Sequence, residues 1–109
     1  MSTSYSPIIS KVYESRLILL EILKTRGFDI DDWNGFSVTE IQTLYNNKQL
    51  DMLLENPTTN KKIFIKYHLA TRLGPVHVYD YVDDLFDIED VLTTDDDLII
   101  VSKDKVNTT

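Results

Sequence analysis

The feature that most constrains the fold is strand chemistry that recurs across a helical gap. Lys61-Lys62-Ile63-Phe64-Ile65-Lys66-Tyr67-His68 and Leu98-Ile99-Ile100-Val101 are rich in β-branched and aromatic residues. Between them Val78, Tyr81/Val82, Leu85 and Ile88 recur at three- and four-residue steps, after a Gly74-Pro75 helix start. Strand, helix and strand in that order make a crossover, which predicts a parallel pair. Upstream, Gln49–Glu55 is a further strand candidate, joined to Lys61–His68 through the turn residues Asn56-Pro57-Thr58-Thr59-Asn60. So short a turn makes an antiparallel hairpin. The expected fold is α/β, a small three-stranded mixed sheet with packed helices. Its third helix runs from about Val76 to Glu89 with Val78, Val82, Leu85 and Ile88 in the core and Tyr79 and Asp83 on the outer side. Leu98–Val101 reads as a short buried strand.

Two helices precede the hairpin. Ile9, Val12/Tyr13, Leu20 and Leu23, with Leu17 and Leu19 widening the stripe, predict a helix from about Ile9 to Arg26. Lys24 and Arg26 suit the negative end of its dipole, and Gly27 can take the left-handed conformation past its end. Phe28–Gly35 then connects, with its aromatics tucking back on the helix. Ser37 and Glu40 have the spacing of a capping box, which predicts a short helix Val38–Asn46 closed by Asn46-Asn47.

At 109 residues the chain suits one domain, 1–109, since domains run to roughly 100–150 residues. No cysteine is present, which removes disulfides, thiolate metal sites and a cysteine nucleophile. No apolar run approaches the roughly 18 residues of a membrane span, and an intracellular location without membrane contact is expected. The net charge of −7 is unevenly placed: residues 1–79 hold eight acidic and nine basic side chains, residues 80–109 ten acidic and two basic. Nine carboxylates and no Lys or Arg stand between Asp80 and Asp97. Such a surface repels DNA and attracts basic partners.

Catalytic constellations are sparse. His68 and His77 lack a third ligand for a metal, no G-x-S-x-G elbow occurs, and three isolated glycines make no phosphate loop. The element order matches the core of restriction-endonuclease-like nucleases, which hold a cation with an acid on one strand and an acid-x-Lys on the next. Asp51 suits the first acid and Lys66 the lysine, but Phe64 stands where the second acid belongs. Glu55, on the same strand face as Asp51, is the remaining substitute. No catalytic residue, metal or cofactor is expected.

The residues Arg16–Phe28, ending Lys24-Thr25-Arg26-Gly27-Phe28, resemble the first helix of subunit five of the eukaryotic and archaeal RNA polymerases. Leu50-Asp51-Met52 and Ile63-Phe64-Ile65 are similar to the family's first two strands. Gly74-Pro75-Val76 with Tyr79–Val82 resembles its following helix, and Leu98–Val101 its last strand. The resemblance runs from about Ile8 to the C-terminus. It implies the amino-terminal jaw domain, a restriction-endonuclease-like fold without an active site; the carboxy-terminal assembly domain that follows in the family is absent. It implies a non-catalytic subunit or module of a multisubunit DNA-directed RNA polymerase, monomeric within a larger complex. Its partners would be the large polymerase subunits and, weakly and without sequence preference, downstream duplex DNA. Lys61 and Lys62 on the hairpin, and Lys103 and Lys105 in the loop by which the family approaches DNA, are the implied phosphate contacts. In that loop the family's Thr-Pro is replaced by Asn107-Thr108-Thr109. The composition, heavy in Asp, Asn, Ile, Lys and Tyr, suits an AT-rich genome such as that of a large DNA virus. The expected location is the nucleus for a cellular protein, the cytoplasm or virion for a viral one. The alternatives are a nuclease of the same fold, or a small acidic adaptor that binds a basic protein.

Overall fold

A computed structural model describes residues 6–102. They form a small α/β domain of α1 (Pro7–Thr25), α2 (Val38–Asn46), β1 (Met52–Glu55), β2 (Lys62–His68), α3 (Pro75–Val82) and β3 (Asp97–Ser102). A π-helical segment, Asp83–Ile88, continues α3. The three strands make one mixed sheet in the order β1-β2-β3. β1 pairs antiparallel with β2, Met52 opposite Ile65; β2 pairs parallel with β3, Ile63 opposite Asp97 and His68 opposite Ser102. Hairpin and crossover thus fall where turn length and element order place them.

α1 starts on Pro7, whose missing N–H costs nothing in a first turn. It buries Ile9, Val12, Arg16, Leu20 and Leu23, a stripe at three- and four-residue steps. Its end is a Schellman motif: the Gly27 N–H donates to the Lys24 carbonyl and the Phe28 N–H to the Leu23 carbonyl, both at 3.0 Å. Gly27 takes the left-handed φ of 94° that this geometry needs. Phe28 packs into the same cluster as Leu23, the hydrophobic contact that goes with such a cap. Leu17, Ile18 and Ile22 stay largely exposed, so the stripe is narrower than the run of leucines suggests.

α2 carries the expected capping box, with the Glu40 N–H donating to Ser37 Oγ and the Ser37 N–H to Glu40 Oε1. It ends at Asn46 with Asn47 as the C-cap, as expected. The left-handed residue past the helix is Lys48, φ 57°, with the Lys48 N–H donating to the Tyr45 carbonyl and the Gln49 N–H to the Leu44 carbonyl. This is the same motif as at Gly27, built here on a residue that costs about 1 kcal/mol in that conformation.

The sheet's two faces are unlike. On one, Met52, Leu54, Ile63 and Ile65 meet Leu20, Leu23 and Ile30 in the main core, while Val12, Ile41 and Leu50 form a second cluster between α1 and α2. Tyr67 touches both clusters. The other face carries Lys62, Phe64, Lys66 and His68 of β2, by strand alternation. α3 lies on that side.

Two expectations are corrected here. The predicted core stripe of the third helix is not buried: Val78 is 38%, Val82 41% and Ile88 68% exposed, and only Leu85 is inside. The helix turns His77, Tyr81 and Leu85 to the sheet instead, a face about one residue away. The reason is the polarity of what it covers, since Tyr81 meets Lys66 and His68. Over Leu98–Val101, β3 is half-buried rather than buried. It is an edge strand, with Ile99 and Val101 on the main core and Leu98 and Ile100 on the thinly covered side.

Candidate functional site

The polar face of the sheet holds the main candidate site. A cleft of about 500 Å3 lies between the end of α2 and the β2–α3 side, lined among others by Tyr45, Lys48, Asp51, Lys66, His68 and Tyr81. Asp51 sits just before β1 and has both oxygens engaged. Lys66 Nζ donates to Oδ2 at 2.9 Å and the Tyr67 N–H donates to Oδ1 at 2.8 Å. This is the one ion pair among the described residues, and both side chains are about 30% exposed. Lys66 Nζ also lies 5.0 Å from the centre of the Tyr81 ring, a cation–π distance.

His68 is buried at the end of β2. Its Nδ1 shares a short hydrogen bond with the Tyr81 hydroxyl, and its Nε2 lies 3.1 Å from Thr71 Oγ1. The His77 ring lies against it, tilted by 41° with 4.5 Å between ring centres. The Gly74 N–H donates to His77 Nδ1 at 2.9 Å, so this histidine closes the first turn of α3 from within. The two histidines therefore dock the crossover helix on the sheet. Among the described residues no group of three or more His, Asp or Glu is placed to hold a metal ion.

Beneath the cleft floor stands Arg16, 2% exposed. Its Nη1 donates to the Leu50 carbonyl at 2.7 Å, and its guanidinium carbon lies 5.9 Å and 5.6 Å from the ring centres of Phe36 and Tyr67. Nε, Nη2 and the Tyr67 hydroxyl find no hydrogen-bond partner among the described residues. Burial pushes the Tyr67 phenol above its ordinary pKa; the Arg16 charge partly offsets this, and Asp51 adds to it.

The acids named by the nuclease alternative are placed as follows. Asp51 is spent on Lys66 and the Tyr67 amide. Glu55 shares its side of the strand but lies four residues on, roughly 13 Å at strand rise. Cation ligands stand at about 2–2.6 Å, so the two carboxylates cannot share an ion.

The lysines expected at phosphates are placed as follows. Lys61 is exposed at the hairpin turn and Lys62 half-buried at the start of β2. The Lys62 N–H donates to Asp96 Oδ1 at 2.7 Å, which sets the acidic turn before β3 directly beside them. Asp96 Oδ2 accepts from the Thr93 N–H and hydroxyl. These bonds, Thr93 first and Lys62 second, hold the Asp96 carboxyl below its usual pKa. Lys103 and Lys105 lie outside the described residues. β3 reaches Ser102 opposite His68, the far end of the strand pair from Lys62.

Three functional or positioning residues escaped the sequence reading. Arg16 sits at a stripe position, and only its i+4 spacing from Val12 and Leu20 signals burial. Asn56 was legible as a turn residue, but it also ties the hairpin to α1: its Nδ2 donates to the Arg26 carbonyl at 3.3 Å while its Oδ1 accepts from Thr58 and Thr59. The inward Tyr81 was masked by the adjacent Val82.

Compared with known proteins, the chain matches no protein-family model, no curated protein and no solved structure.

Proposed function

We propose that the chain is a non-catalytic module of a multisubunit DNA-directed RNA polymerase, of the jaw type found at the amino terminus of subunit five. The observation that carries this reading is the Lys24–Phe28 helix end together with the element order that follows it. The cap favours both the glycine and the aromatic on local grounds. It does not require the run of matching segments at Leu50–Met52, Ile63–Ile65, Gly74–Val82 and Leu98–Val101 in the same order. A restriction-endonuclease-like jaw fold is part of the same proposal; a mixed sheet with an antiparallel hairpin and a parallel crossover strand is compatible with it.

In this reading the large polymerase subunits are the partners and downstream duplex DNA is a neighbour. Lys61 and Lys62, with Lys103 and Lys105, would touch phosphates without reading sequence. Two to four such contacts beside the Asp95–Asp97 turn are too few to hold DNA alone. The isolated protein is expected to give no DNA mobility shift at micromolar concentration near physiological salt. Purification of the tagged protein from its native cells is expected to bring down the two large polymerase subunits in constant proportion. A folded protein that recovers neither subunit, or that binds DNA tightly unaided, sinks the proposal.

A further inference from the structure

The rotation of α3 toward a polar sheet face leaves a second surface turned outward. Val76 is 70% exposed and Tyr79 74%, and Val78 and Val82 are open to more than a third. Val76, Tyr79 and Val82 follow at three-residue steps and Val78 lies four before Val82, a stripe along one side of α3. The helix cannot roll to bury them, because Tyr81 and Leu85 would leave Lys66, His68 and the interior. Beside the stripe stand Asp80 and Asp83, with Asp87 and Asp90 following in the same segment, and no Lys or Arg occurs between Pro75 and Asp90; Asp84 and Glu89 instead line a cleft with Lys66 and Asp51 on the sheet side. None of these carboxylates forms an ion pair among the described residues. An exposed apolar stripe bordered by unpaired charge of one sign is the composition of a docking face.

We propose that this face docks a basic amphipathic helix of a partner protein. The charge selects the occupant. Nucleic acid and anionic membranes are repelled by these outward carboxylates. A second copy of the chain would bring the same carboxylates against the first, since a two-fold interface sets like against like. A helix with apolar anchors at i, i+3, i+4 and i+7 and Lys or Arg at its flanks satisfies both features together. The inference goes beyond the polymerase reading and stands without it.

The test uses the full chain and a synthetic Leu/Lys helix of about five turns, roughly 18 residues, with its leucines on one face. A control peptide has the same composition with the leucines scattered. In an NMR titration at roughly 150 mM salt, the amphipathic peptide is expected to shift resonances confined to residues 75–90. It is expected to bind about tenfold more tightly than the control, a difference of about 1.4 kcal/mol. Tyr79→Ser with Val82→Ser removes that advantage with the thermal midpoint unchanged, since both side chains are exposed. Asp83→Asn with Asp87→Asn weakens both peptides and flattens their salt dependence. Equal binding of the two peptides, shifts centred elsewhere, or no binding overturns the proposal. So does self-association of the chain that Val82→Ser abolishes, which would name a second copy as the occupant.

Discussion

The two faces of the sheet are built on opposite terms. On the α1 side, apolar strand residues meet an apolar helix stripe, and Met52, Leu54 and Ile65 are at most 1% exposed. On the α3 side, Lys66 and His68 meet Tyr81 and His77 through hydrogen bonds, a cation–π contact and a tilted ring contact, and among the apolar residues there Leu85 and Leu92 are buried. The first face holds the fold by area removed from water, at about 25 cal/mol per Å2. The second contributes less, because a polar contact only replaces one with water and nets about 1 kcal/mol. A helix attached in this way is free to carry apolar residues outward. The contrast therefore assigns stability to one side of the sheet and recognition to the other.

The assignment breaks most visibly at Leu54. Leu54→Ala removes a side chain packed on all sides and is expected to cost about 3–4 kcal/mol, measured by urea unfolding. Arg16→Ala is expected to cost about 3 kcal/mol in the same assay. It strips the Leu50 carbonyl of its donor and opens a void between Phe36 and Tyr67. Asp96→Asn, at the turn that joins the hairpin to β3, is expected to cost about 1 kcal/mol at neutral pH. The bound form lowers the Asp96 pKa, so its stabilisation is full above the unfolded carboxyl value of about 3.9 and is lost as pH falls through the folded value. The gap between wild type and Asp96→Asn should accordingly close in acid. Smallest of all, Val82→Ser on the outer stripe is expected to change stability by less than about 0.5 kcal/mol. A loss at Val82 approaching that at Leu54 would erase the contrast.

How far these features are legible in the sequence follows the range of the physics behind them. Gly27 with Phe28, Ser37 with Glu40, and the Asn56–Asn60 turn act within a few residues, so their caps and hairpin can be read directly. Parallel pairing of β2 and β3 follows from the element order alone. The facing of α3 does not. Val78, Val82, Leu85 and Ile88 fit the helical period as well as His77, Tyr81 and Leu85 do, and the choice is made by the polar strand residues the helix meets. The π-helical turn then resets the phase, putting Leu85 inside and leaving Ile88 out. The buried Arg16 is hidden for a like reason: an arginine in an apolar stripe reads as an interruption unless its carbonyl and ring partners are known. Among candidate site residues, Asp51 and Lys66 do meet, as an ion pair rather than as parts of a metal cage.

Native-state hydrogen exchange tests the contrast most directly, because it reports the opening free energy of each element in one experiment. Amides of α1, β1 and β2 are expected to exchange only through global unfolding, while those of α3 and the π-helical segment exchange through a local opening at least about 2 kcal/mol easier. Equal protection of α1 and α3 would contradict the account, since it would make the outer helix as much a part of the core as the inner one.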